Sequence, residues 1–379
     1  MSTATYRSPL TDWTVVVPVV ALVALVLSWG RDLPPLAVGL VALCLAGAVL
    51  AAVHHAEVVA HRVGEPFGSL VLAVAVTVIE VALIVTLLAD GGDKTSSLAR
   101  DTVFAAVMIT CNGIVGLSLL VGALRNRVAV FNAEGSGAAL ATVATLAVLS
   151  LVLPTFTTSK PGPEFSTAQL AFAATASLAL YGLFVAVQTV RHRDYFLPVD
   201  TKRIRREAAQ AAAAAAAGEE DEHAEPPTAR AALISLGLLL VALVAVVGNA
   251  KAVSPTIERG VADLGLPYAV VGVIIALLVL APETLAAVRA ARRDRVQTSL
   301  NLAYGSAIAS IGLTIPAIAL ASVWLSGPLL LGLEPLHMVL LALTIVVSAL
   351  TIVPGRATLL QGGVHLVLLA AYLFLAVSP

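Results

Sequence analysis

Apolar residues in this chain do not alternate or keep to one helical face; they run on for whole segments, broken by short polar stretches. A helix needs about 20 mostly apolar residues to cross the hydrocarbon core of a bilayer. Eleven runs of that kind stand out, at 13–29, 36–54, 67–89, 102–124, 138–156, 168–190, 231–250, 267–289, 302–326, 333–353 and 356–377. No charged residue marks the break between 298 and 333, and Gly327-Pro328 is the expected turn there. Composition agrees: hydrophobic residues make up 59% and charged residues 12%, against roughly 25% charged in soluble domains, and mean hydropathy is +0.98. The expected class is an all-α polytopic membrane protein whose main solvent is lipid. The first run lacks a basic n-region and a small-residue exit, so it reads as a retained helix and not a cleaved signal.

Charge then sets direction, because cytoplasmic loops carry excess Lys and Arg. With the 191–230 connection placed in the cytoplasm, alternation puts 16 of the 22 basic residues on that side. The other 6, Arg31, Lys94, Arg100, Lys160, Lys251 and Arg259, fall outside. The expected N-terminus is cytoplasmic and the C-terminus external. The net charge of -1 and the lack of a long basic tract exclude a nucleic-acid partner. Oligomeric state is not legible, and a homo-oligomer stays open.

Setting the first helix aside leaves five runs on each side of the connection. Five is odd, so the second set enters the membrane in the opposite sense, the arithmetic of an inverted repeat. The expected organisation is a tail and first helix at 1–34, a five-helix repeat at 35–190, a cytoplasmic linker at 191–230 and a second five-helix repeat at 231–379. Gly64-Glu65-Pro66 precedes Glu80, and Gly265-Leu266-Pro267 precedes Glu283, at similar depth in the second run of each half. Within the linker, 207–217 is Ala-rich and 218–227 is acidic and then broken by prolines. It reads as a solvated connection or as a weak collector of divalent cations.

Away from their ends, the runs hold only two charged residues, Glu80 and Glu283. A charge at mid-bilayer costs at least about 2.5–3.5 kcal/mol on insertion scales, so such residues usually line a cavity and act there. Paired carboxylates suit hard cations. Burial and a neighbouring carboxylate also favour the protonated form of a carboxyl group in general. A pair neutralised either by protons or by a metal ion is a competitive switch, and a doubly charged ion matches two carboxylates. Glu80 and Glu283 are therefore the candidate metal and proton-binding groups. Thr77 lies one turn before Glu80, and Pro282 is expected to break or kink the helix carrying Glu283.

Other polar groups sit in the runs. Asn112 either bonds between helices or contributes a ligand. The small-residue stretch from Asn301 through Ser306 to Ser310 serves packing, site lining, or both. His54, Glu57 and His61 share a helix face by their 3–4 spacing. They read as an interfacial helix, a metal site, or a pH-responsive gate, since His titrates near neutrality. His337 and His365 stand apart and read as structural. Cys44 and Cys111 lie in apolar runs and read as small core residues. No phosphate loop, Ser-His-Asp grouping or C-x-x-C pair is present, so neither an enzyme nor a cofactor is expected.

The run from His55 through Glu57, His61, Gly64-Glu65-Pro66 and Gly68 to Thr77-Val78-Ile79-Glu80 resembles the bacterial ChaA-type calcium/proton antiporters of the cation/calcium exchanger superfamily. The resemblance covers nearly the whole chain. It implies a sodium/calcium exchanger-like fold of two inverted five-helix repeats, with Glu80 and Glu283 as their paired essential acids. Asn301 through Ala307 resembles the N-x-A-x-G-S-A stretch of the second repeat, and Asn112 matches the Asn in the third helix of the first. Two departures stand out: the Asn expected three residues before each acid is Thr77 or Leu280, and Ala309 is nearest the Gln that often follows G-S-A. The implied function is calcium export from a bacterial cell in exchange for protons, across the inner membrane. A sodium or potassium/proton antiporter using the same acids is the alternative, and a cation channel or membrane enzyme is less well supported.

Overall fold

The computed structural model describes residues 12–378 except 32, 64–66, 92–95, 198, 200–227 and 325–326, and side chains for all of these but 35, 67–73, 87, 90 and 91. The acidic 218–227 stretch and Gly64-Glu65-Pro66 thus lie outside the described residues. Eleven helices coincide with the eleven apolar runs. They are α1 (Trp13–Ser28), α2 (Pro35–Val63), α3 (Phe67–Gly91), α4 (Leu98–Asn126), α5 (Ala133–Phe156), α6 (Thr167–Arg191), α7 (Ala229–Asp263), α8 (Ala269–Arg292), α9 (Val296–Ala321), α10 (Pro335–Ile352) and α11 (Leu359–Val377). Among the described residues nine helices are long and apolar enough to cross a membrane, and Trp13–Ser28 and Val74–Thr86 are shorter apolar helices.

Local chemistry sets the helix starts. Asp12 accepts from the Thr14 amide at the head of α1, and Asn132 accepts from the Glu134 and Gly135 amides at the head of α5. Ser166 with Gln169, and Thr358 with Gln361, form reciprocal capping boxes on α6 and α11. Each satisfies amides that the first helical turn leaves unpaired. Between α9 and α10, at the expected turn, Gly327 has a φ of 129°, a conformation open to glycine but not to L side chains.

Several helices run past their apolar runs, α4 and α7 among them. α4 begins at Leu98, so Arg100 and Asp101 lie inside it and are buried. The expectation that only Glu80 and Glu283 are charged within the helices is corrected accordingly. These two residues are tolerated because they satisfy one another: Arg100 Nε donates to Asp101 Oδ1 at 2.7 Å and Arg100 Nη1 to the Gly332 carbonyl at 3.2 Å. α7 runs to Asp263 and carries Lys251, Glu258 and Arg259 in its last turns.

The packing repeats itself under exchange of the halves. α9 packs on α6 as α4 packs on α11; α8 packs on α4 as α3 packs on α9; α7 packs on α3 as α2 packs on α8. α2 and α7 pack on each other, with α1 added outside them. The loops obey the same exchange. Strand β1 (Ala129–Val130), between α4 and α5, pairs antiparallel with β2 (Arg356–Ala357), between α10 and α11. Its counterpart is the antiparallel bridge from Leu330, between α9 and α10, to Glu164, between α5 and α6. This is an inverted repeat of two five-helix halves. α4 and α9 form its centre: 89% and 61% of their apolar windows are buried, against 22% and 28% for α6 and α11. A π-helical turn, Ile109–Ile114, interrupts α4, whereas α9 is α-helical throughout.

Candidate functional site

Glu80 lies thirteen residues into α3 (67 to 80) and Glu283 fourteen into α8 (269 to 283), the second helix of each half. Similar depth on equivalent, oppositely directed helices brings both to one cavity of about 190 Å³. Apolar side chains make up much of its wall, among them Val76, Tyr181, Phe184, Val185, Leu280 and Leu302. The polar lining is Glu80, Glu283, Thr77, Gln188, Thr298, Asn301, Ser306 and Ser310. Glu80 is 4% and Glu283 8% exposed, so neither carboxylate reaches bulk water directly.

The two acids have different surroundings. Ser310 Oγ donates to Glu80 Oε1 at 2.6 Å, tying α9 to α3. Glu283 Oε2 is buried without a hydrogen-bond partner among the described residues. An unpaired buried oxygen of this kind is costly and marks where a cation, a proton or a moving donor could bind. α8 runs unbroken through Pro282, so of the expected break or kink the break is not found. Proline there removes only the bond that its own amide would make one turn back, and the helix is continued by its neighbours, with Thr284 Oγ1 donating to the Leu280 carbonyl at 2.8 Å.

Of the lining residues expected from sequence, Thr77, Asn301, Ser306 and Ser310 do face the cavity. Asn301 is already engaged at both ends: its Oδ1 accepts from Gln297 at 2.8 Å and its Nδ2 donates to the Phe196 carbonyl at 2.6 Å. Asn112 is not among the lining residues. Its Nδ2 donates to Thr344 Oγ1 at 2.9 Å, and His365 Nδ1 lies 3.2 Å from its Oδ1. It takes the interhelical role of the two open to it, and His365 is part of that network and not isolated. Gln188 and Thr298 escape a reading of the sequence because each falls in the end turn of its helix, where a polar residue reads as interface.

His54, Glu57 and His61 are not among the lining residues either; they sit on the last turns of α2. His54 packs its ring 6.1 Å from that of Trp13, while Glu57 and His61 are exposed. The neighbouring His55 donates from Nε2 to the Thr14 carbonyl at 2.8 Å, pinning α1 to α2. Among the described residues no group of three or more His, Cys, Asp or Glu could hold a metal ion, which removes the metal-site reading of that face.

The cavity extends from the two acids toward the end of the molecule where α6 finishes and α9 begins, since Gln188 and Thr298 stand there. On the far side, Arg100 and Asp101 are buried against the chain between α9 and α10.

Known proteins share both this sequence pattern and this fold. The family described as sodium/calcium exchanger protein matches residues 33–190 and 234–378. The chain is 43% identical over 374 residues to the putative ionic transporter y4hA of Sinorhizobium fredii (97% of this chain, 96% of the relative). It is 34% identical over 365 residues to the sodium-potassium/proton antiporter ChaA of Escherichia coli K12 (96% and 95%). Its fold resembles the crystal structure of the H+/Ca2+ exchanger CAX with a TM-score of 0.68 at 15% identity, covering 95% of this chain and 86% of that one.

Proposed function

The chain belongs to the sodium/calcium exchanger protein family, and on that premise we propose that it is a secondary antiporter exchanging Ca2+ for protons. Glu80 and Glu283 are the groups that bind the two in turn. The observation that carries this is the pair of buried carboxylates on symmetry-equivalent helices, facing one cavity. Two carboxylates hold either protons or one divalent ion at balanced charge, so loading one expels the other. Thr77, Ser306 and Ser310 supply neutral oxygens beside them, of the kind hard cations accept.

Alternating access arises from the inverted repeat. The halves 35–190 and 231–379, joined by 191–230, rock about the acids, and the reverse packing opens the other side. The side with 16 of the 22 basic residues is cytoplasmic by the positive-inside rule. α6 ends and α9 begins on that side, and we therefore read the conformation as inward-open. His54, Glu57 and His61 lie on the same side, at the end of α2, and serve there as a pH-responsive rim.

A second reading, exchange of Na+ or K+ for protons at the same acids, has a specific support. Leu280 lines the cavity where an amide would supply another oxygen, and a relative over nearly the full length is a sodium-potassium/proton antiporter. The test is cation-driven proton movement in everted vesicles with a pH-sensitive dye, for wild type, Glu80→Gln and Glu283→Gln. Collapse of the proton gradient by calcium, lost in both variants, supports the proposal. Collapse by sodium or potassium alone selects the second reading, and unaltered variants would remove the two acids from the mechanism.

A further inference from the structure

We infer that His365 is a positioning residue for transport: it holds Asn112 on α10 and α11 in the inward-open state and releases it to Glu283 when the cavity faces the other way. The inference rests on the antiporter reading but is tested by a readout that does not require transport.

Equivalent helices differ at one matched position. Ser310 lies fourteen residues after the start of α9 (296 to 310), and Asn112 fourteen after the start of α4 (98 to 112). α9 packs on α3 as α4 packs on α8. Ser310 bonds Glu80 on α3, so the equivalent partner for Asn112 is Glu283 on α8. That bond is not made, and Glu283 Oε2 stands buried without a partner among the described residues.

Asn112 instead bonds to residues of α10 and α11. His365 Nδ1–H donates to its Oδ1 at 3.2 Å, and its own Nδ2 donates to Thr344 Oγ1 at 2.9 Å. The second ring nitrogen of His365 lies 3.2 Å from Thr351 Oγ1; with the Nδ1 proton given to Asn112, that nitrogen is left to accept from the hydroxyl. His365, Asn112 and Thr344 are all buried, at 0%, 0% and 1% exposure. Small residues bring the helices close enough for this: a Cβ on Gly116 would meet the Gly362 carbonyl at 3.1 Å.

The backbone matches the side-chain arrangement. Asn112 lies within the π-helical turn Ile109–Ile114. A π turn holds an extra residue and rotates the next turns by about 100° relative to an α-helix, and such turns cluster at functional sites. α9 has no such turn at Ser310. An α-helical α4 would carry Asn112 toward α8, where its amide could donate to Glu283 Oε2. The π turn and the His365 bond are therefore two parts of one latch that belongs to the conformation described.

The test labels a cysteine in the cavity. Thr298→Cys is placed in the Cys44→Ala background, with Cys111 buried, and reacted with a membrane-impermeant maleimide on everted vesicles, where the cytoplasmic face is outside. His365→Leu should slow labelling by up to about tenfold, the ratio that loss of one state-specific buried hydrogen bond allows. His365→Gln, which keeps a donor, should restore most of the rate. Thr344→Val, which removes the other latch bond, should act in the same direction and serves if His365→Leu does not fold. In an Asn112→Ala background, His365→Leu should change nothing further. An equal effect of His365→Leu with and without Asn112, or no effect of either His365→Leu or Thr344→Val, would overturn the latch. Loss of cation-driven proton movement in wild type would overturn the antiporter reading and leave the labelling result standing.

Discussion

Removing Arg100 alone should destabilise the protein more than removing Arg100 and Asp101 together. Arg100 is 8% and Asp101 5% exposed at the side chain, with a 2.7 Å contact. Arg100→Leu leaves a buried carboxylate whose remaining bond is from Ser97 Oγ at 2.9 Å. Breaking a buried pair from one side costs about 3–5 kcal/mol, whereas replacing both members by apolar residues is often neutral. Arg100→Leu/Asp101→Leu still forfeits the bonds to Gly332 and Ser97, at about 1 kcal/mol each. The expected costs are thus about 4 kcal/mol for the single variant and about 2 kcal/mol for the double. The contact from Arg100 to Glu334 adds little, because it spans 3.6 Å to a side chain 66% exposed; Glu334→Gln should be near neutral. SDS titration of the protein in mixed micelles, monitored by tryptophan fluorescence, measures all three. A double variant less stable than Arg100→Leu would refute the reasoning, since the penalty would then lie in lost packing and not in an orphaned charge.

Three further outcomes are expected. Gly362→Ala should weaken the α4–α11 contact by about 1–3 kcal/mol, because its Cβ would meet the Leu120 amide at 2.8 Å and the Gly116 carbonyl at 3.0 Å, both rigid backbone; the same SDS titration reads it. Gly182→Ala, on α6 with nothing within 4 Å of the added carbon, should instead be neutral or stabilise by up to about 1 kcal/mol on helix propensity. Leu280→Asn adds an amide oxygen to the cavity wall and should raise the calcium response relative to sodium and potassium in the dye assay; a fall in that ratio would show that Leu280 does not limit divalent binding.

Much of the architecture was determined by sequence alone, because in lipid a backbone must satisfy its own hydrogen bonds, and unbroken apolar runs can do so only as helices. The eleven runs, the odd number on each side of the linker and the acids at matched depth all reflect that constraint. Thr77, Ser306 and Ser310 were legible as well, as polar positions at helical spacing near an acid or in a small-residue stretch. Tertiary structure decided whatever depends on which helices meet. Arg100 and Asp101 read as a loop because charge ends an apolar run, yet they sit inside α4, neutralising each other against a carbonyl 232 positions away. His365 read as isolated for the same reason: its partner Asn112 is 253 positions distant. Neither the π turn that aims Asn112 nor the departure from exchange symmetry that leaves Glu283 Oε2 without a partner among the described residues has a local signature, since hydrophobic period records burial and not which neighbour does the burying.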